Sequence, residues 1–361
     1  MEIFTYIVVA FSLLGALDRI IGNRFGLGEQ FEKGLQLLGA TALSVIGMLV
    51  LAPGIAKLLE PACGFIQNVL HLEPSVLPAM LLANDLGGYS LGMQVAGDPQ
   101  LGLFNGLAVA AMMGVTISFT VPVALTLAPE AQHRNVLLGF LCGIITVPVG
   151  CIVSGLMMGL TIGVILWDLL PLLVFAAILV VGLLKAPVVC VKIFRIFGAG
   201  IKILITAGLA LGILTFLTGF ELIPGLAPLQ EGADICLNAC IVMTGTFPFV
   251  YVLSKVLKKP LGLLARKMGI CQEAAVGFLS SLATSMTTFG LMDKMDAKGV
   301  MLNSAFAIAA AFSLSSHLAF TMALAPQILL PVIVGKLTAG ICAVVVALLL
   351  AKKLGVSNAE E

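Results

Sequence analysis

The chain has 361 residues, 60% of them hydrophobic, with 19 Lys and Arg against 18 Asp and Glu, so that only 10% are charged. A soluble globular chain carries about 25% charge and could not hide so much apolar surface, so the composition defines an integral membrane protein. The net charge of +1 provides no dense basic face, which excludes a nucleic-acid partner.

A bilayer core of about 30 Å needs about 20 helical residues. At that scale the chain divides into eleven apolar runs, 3–21, 35–59, 76–95, 101–128, 136–160, 164–184, 201–220, 235–257, 274–292, 300–325 and 328–351. The first run lacks the basic flank of a signal peptide and is read as a retained helix. Short apolar stretches around Phe65 and Val191 read as interfacial helices.

The third run, VLPAMLLANDLGGYSLGMQV, carries Asn84-Asp85 and Gly87-Gly88 at its centre, and the ninth, AAVGFLSSLATSMTTFGLM, carries six Ser and Thr. Neither suits lipid exposure, and backbone that unwinds there must be buried in protein or line a polar cavity. Charge placement points the same way. If runs three and nine return to the face they leave, 17 of the 19 basic residues fall on one side, with Lys57 the clear exception and Lys336 inside the last run. Glu60, Glu73, Asp98, Glu221, Glu231 and Asp234 then lie opposite. The positive-inside rule favours that arrangement. The expected fold is therefore an all-α polytopic membrane protein with about nine full crossings and two re-entrant or broken segments, the C-terminus being cytoplasmic.

A shift of 198 residues superposes runs two to four on runs eight to ten and pairs Asp98 with Asp296, Asn105 with Asn303 and Ser118 with Ser316. The chain thus reads as a single transporter domain, 1–361, with an inverted repeat of 34–118 and 232–316, a common plan of secondary transporters.

Asp85 is the strongest site candidate, because a carboxylate in mid-membrane normally faces a cavity and a cationic partner. His317, deep in run ten beside Ser315 and Ser316, either relays a proton or packs against a neighbouring carbonyl. Thr116 and Ser118 are read chiefly as bonding back to their own helix. Asp98 and Asp296 read as helix caps, and Asp168, beside the only Trp, as interfacial. Lys336 is either a counter-ion in the bundle or a snorkelling side chain. Gly155, Gly159 and Gly163, and Gly208 with Gly212, form small faces that suit a homo-oligomer contact or, more commonly, packing within the subunit. The eight Cys include no CxxC pair and read as small buried hydrophobes. No HExxH, Walker loop or GxSxG is present, so no enzyme, metal or other cofactor is expected.

The blocks GEQFEKGLQLLGATAL, LLANDLGGYSLG, TVPVGCIVSGL, GFELIPGLAP and FGLMDKMDAKGVMLNSAFAIAAAFSLSSHLAF resemble the EutH family of bacterial ethanolamine permeases, in the same order over nearly the whole chain. The resemblance implies a multi-pass inner-membrane protein that brings ethanolamine into the cell. The family's pattern can place a carboxylate immediately before the His of run ten; Ser316 stands there in this chain, which leaves Asp85 as the main anionic candidate. Ethanolamine is mostly an ammonium ion at neutral pH. Asp85 can balance its charge, Asn84, Thr284 or Ser316 can bond its hydroxyl beside His317, and Tyr89 or Phe289 can offer a cation-facing ring. Transport by facilitated diffusion and by proton coupling both fit. The alternatives are a channel for ammonia or another small amine and, least favoured, a membrane-embedded enzyme. The expected partners are ethanolamine and the lipid bilayer.

Overall fold

The computed structural model describes residues 2–356, and every regular element among them is helical. Six helical stretches among these residues are long and apolar enough to cross a bilayer: Leu27–Asn68, Pro99–Leu127, Glu130–Met157, Pro187–Thr218, Leu229–Leu257 and Pro326–Ala351. A seventh span results if Ile162–Asp168 and Leu170–Lys185, bent by 47°, count as one. The outward faces carry exposed Leu13, Leu17, Ile178, Leu184, Ile203 and Phe216. In water such a surface would aggregate; in lipid it is the ordinary exterior.

Runs three, nine and ten do not form continuous spans. Run three is split into Val76–Leu81, the tight turn Asn84–Leu86 and Gly88–Val95, and Gly87 adopts φ +106°, a left-handed conformation that side-chain-bearing residues rarely accept. Run nine breaks at Thr284, between Gln272–Ala283 and Ser285–Gly290. Run ten also breaks, between Ala297–Ala310 and Ser316–Leu324, with Phe312 at φ +62°. Run ten reads as continuous in the sequence, although Ser313, Ser315 and Ser316 lie at that third break. The stretches around Phe65 and Val191 are not separate interfacial helices but the ends of the long helices Leu38–Asn68 and Pro187–Thr218. The first continues through Pro53 and Pro61, and in the second Pro187 sits at the helix start, where its missing N–H costs no hydrogen bond.

Two carboxylates close the broken runs at their bases. Glu73, just before run three, accepts hydrogen bonds from the backbone N–H groups of Gly97 at 2.8 Å and Asp98 at 3.2 Å, just after it. Asp296, just after run nine, accepts from the N–H of Cys271, just before it, at 2.9 Å. Each run therefore begins and ends on one side of the molecule, as a hairpin. Asp98 also caps its following helix by accepting from Gln100 and Leu101, and Asp296 does so from Gly299. The capping reading of both residues holds.

The core lies between the hairpins. Phe104–Gly114 is wound as a π-helix and, with Ala297–Ala310, contributes an almost unbroken series of fully buried residues. Both pack on His133–Met157 and Leu329–Ala351. Gly208 and Gly212 pack on Leu38–Asn68 within the chain, whereas Gly159 and Gly163 have no neighbouring atom where a Cβ would point.

Candidate functional site

Each hairpin ends in an interrupted tip, and both tips open onto one cavity of about 640 Å³. The first contributes Ala83, Asp85 and Leu86, the second Ala283, Thr284 and Thr287, and the broken tenth run contributes Ser315, Ser316 and His317. Backbone that has left the helix needs partners, and it finds them in the adjoining runs. The Ala83 N–H donates to Ser118 Oγ at 3.1 Å. At the second tip, the N–H groups of Phe312 and Leu314 donate to the carbonyls of Ser281 and Leu282, and the Ser315 hydroxyl donates to the Ala283 carbonyl. The cavity extends to Lys33 and Gln36, both exposed on the amphipathic helix Leu27–Gln36.

Asp85 sits in the turn of the first tip, half-buried, its own N–H donating to Asn84 Oδ1 at 3.1 Å. That bond uses Asn84 to shape the turn. Asn84 is fully buried behind the cavity wall, and its Nδ2 has no hydrogen-bond partner. Thr284 accepts from the N–H of Met286 at 3.3 Å and so caps the short helix beyond the break. Of the seven residues expected at the site, Asp85, Thr284, Ser316 and His317 come together on the cavity. Asn84 stands directly behind them, and Tyr89 is one aromatic layer away, edge-on to the cavity-lining Phe320 at 6.3 Å between ring centres. Phe289 lies outside the cavity, fully buried and edge-on to Phe140.

Most hydroxyls of run nine are structural. Ser281 and Thr288 bond to each other at 2.8 Å across the hairpin, Thr288 also donates to the Gly277 carbonyl, and Ser280 donates to Val276. Thr116 donates to the carbonyls of Met112 and Ile308, and Ser118 to that of Gly114, as the helix-bonding reading expected.

Lys336 completes the site. It is fully buried on Leu329–Ala351, so it does not snorkel. Its Nζ donates to the Ala111 carbonyl, within the π-wound helix, and stands 3.2 Å from His317 Nδ1. When Lys336 is an ammonium it can only donate, and Nδ1 then accepts with the imidazole proton on Nε2. Asp85 lies within electrostatic reach of Lys336 without a direct ion pair between them. Sequence reasoning found Lys336 as a charge inside an apolar run, but the 19-residue separation from His317 spans a broken helix and a turn, so no helical spacing revealed their contact.

Two facing hairpin tips with a cavity between them, and His317 and Lys336 buried among long apolar helices, mark a multi-pass membrane protein. Comparison with known proteins gives the family: residues 1–350 match the model of the ethanolamine utilisation protein EutH, and the chain belongs to that family. It is 42% identical over 357 residues to a probable ethanolamine permease EutH of Listeria monocytogenes, covering 99% of this chain and 96% of the relative. The probable ethanolamine permease EutH of Escherichia coli is 35% identical over 390 residues, covering 98% and 96%. An uncharacterised protein, YxeR, of Bacillus subtilis is 36% identical over 342 residues, covering 95% and 92%. No solved structure matches.

Proposed function

We propose that this protein is a permease of the bacterial inner membrane that admits ethanolamine in its ammonium form. The observation that carries the reading is the position of Asp85, a carboxylate on a broken-helix tip, inside a cavity that also presents the His317 imidazole and the Ser316 hydroxyl. The carboxylate accepts from the substrate ammonium, while the neutral His317 donates from Nε2 to the substrate hydroxyl oxygen. Lys336 behind His317 balances Asp85 when the site is empty and opposes a second cation when it is full. Binding is thereby kept weak enough for release, as transport requires.

The likeness to the named permeases supports the substrate, and the hairpin bases support the inverted repeat of 34–118 and 232–316. Glu73 and Asp98 close the first base on the acid-rich side, whereas Cys271 and Asp296 close the second beside Lys294 and Lys298 on the basic side. With the basic side cytoplasmic, the cavity at Lys33 is an inward-facing one. Because Asp85 and Lys336 cancel, the ammonium carries one net charge across, and an inside-negative potential contributes about 2.3 kcal/mol per 100 mV to entry.

Purified protein in liposomes tests this. Labelled ethanolamine should enter under an imposed inside-negative voltage without a pH gradient, and ethylammonium should compete where ethylene glycol does not. Accumulation driven by a pH gradient alone would instead select proton coupling, and no uptake under either gradient would contradict the assignment.

A further inference from the structure

The acid-rich side holds a second cavity, about 500 Å³ in volume, whose wall includes His71, Glu73, Leu101, Val164, Trp167 and Asp168. Asp168 is only 2% exposed, and its Oδ1 accepts a hydrogen bond from Asn105 Nδ2 at 3.1 Å. The same amide nitrogen donates to Ser75 Oγ at 3.0 Å, so both of its N–H groups are used. Two acceptors of this buried pair, Asp168 Oδ2 and Asn105 Oδ1, have no hydrogen-bond partner. Buried acceptors are costly to leave unpaired, and what this pair lacks is a donor.

The wall includes a neutral donor, the Gln67 amide, which leaves Asp168 Oδ2 unpartnered, and the charge of the wall favours a cation. Glu73 spends its oxygens on the backbone N–H groups of Ser75, Gly97 and Asp98, yet its charge remains beside Asp168, and no Lys or Arg lines the cavity. The Trp167 indole is pinned by its N–H to the His71 carbonyl at 2.6 Å, which fixes an aromatic ring in the same wall. Aromatic faces attract ammonium groups, and an ammonium offers three N–H donors to orphaned acceptors. A hard metal ion would require a full shell of oxygens, and an aromatic wall gives it nothing.

We propose that this cavity is a second binding site, for a small primary organic ammonium, which Asp168, positioned by Asn105, holds through its N–H groups against the Trp167 ring. The proposal rests on the reading that organic ammonium ions are this protein's traffic, and it makes the acid-rich face a station occupied before the central cavity.

Trp167 is the only tryptophan in the chain, so intrinsic fluorescence reports on this wall directly. The full-length protein in lipid nanodiscs is titrated with ethanolamine, ethylammonium, ethylene glycol and sodium chloride at matched ionic strength. The expected result is a saturable change with both ammonium compounds and none with glycol or sodium. Asp168→Asn should weaken the apparent affinity by about tenfold or more, the scale of a lost charge-assisted hydrogen bond. Asp85→Asn should leave the titration unchanged. Val164→Lys, at an exposed wall position, should weaken it by supplying a tethered ammonium, and this decides the matter if Asp168→Asn does not fold. The site is overturned by an absent signal, an equal response to sodium, a titration untouched by Asp168→Asn or Val164→Lys, or a signal lost in Asp85→Asn, which would mean relay from the central cavity. An absent signal with intact, Asp85-dependent ethanolamine uptake removes this site alone. A persisting ethylammonium signal without any uptake removes the permease reading and keeps the site.

Discussion

Lys336 Nζ lies 3.2 Å from His317 Nδ1, and both side chains are withdrawn from the surface. A buried ammonium is expensive, and its only other polar contact is the Ala111 carbonyl. An ionisable group buried in a membrane protein is a functional candidate by default. Lys336→Met should therefore leave thermal stability unchanged or raised, because an apolar side chain of similar length removes the cost of burying the amine, while the initial rate of ethanolamine uptake falls by about tenfold or more. A melting curve and a flux assay on the same preparation check it. A large fall in melting temperature with normal flux would make Lys336 structural.

Gly208 and Gly47 bring the helices Pro187–Thr218 and Leu38–Asn68 into backbone contact, since a Cβ built on Gly208 would lie 2.0 Å from the Gly47 carbonyl oxygen. Close approach of this kind holds helices together in lipid, where the hydrophobic effect between them is absent. Gly208→Ala should force the pair apart and lower stability by about 2 kcal/mol or more, the cost of overpacking. Gly200→Ala, in the same helix but facing open space, should be neutral or slightly stabilising. Parallel thermal melts in detergent give the comparison.

Ser316 lines the central cavity and keeps partial exposure. In inside-out vesicles, where the basic side faces the medium, Ser316→Cys should react with a membrane-impermeant thiol reagent, and saturating ethanolamine should slow the reaction. Mass spectrometry of the peptide carrying position 316 separates this thiol from the native cysteines. Labelling only in right-side-out vesicles would reverse the orientation assigned to the cavity.

The interruptions of runs three and nine were legible because clusters of Gly, Asn, Asp and hydroxyl residues at the centre of an apolar stretch suit broken backbone better than lipid. The caps at Asp98 and Asp296 were legible because capping is local chemistry. Asp85, His317, Ser316 and Thr284 were each visible as single polar residues in apolar runs, and the fold brings them together. What the sequence hid was long-range. The break at residues 311–315, Ala-Phe-Ser-Leu-Ser, is stabilised by bonds to the second hairpin tip, which no local pattern records. Phe289 sits beside a break in sequence but turns into the core against Phe140, because neighbouring helical positions face different ways.

The central claim is that Asp85 holds the substrate ammonium. The most direct measurement is the initial rate of labelled ethanolamine uptake into liposomes bearing wild type or Asp85→Asn, which keeps the shape of the side chain and removes its charge. Truncating one partner of a desolvated charge pair costs about 2–5 kcal/mol, so uptake should fall by about thirtyfold or more at limiting substrate, with the melting curve preserved. Undiminished uptake by a folded Asp85→Asn protein would contradict the account.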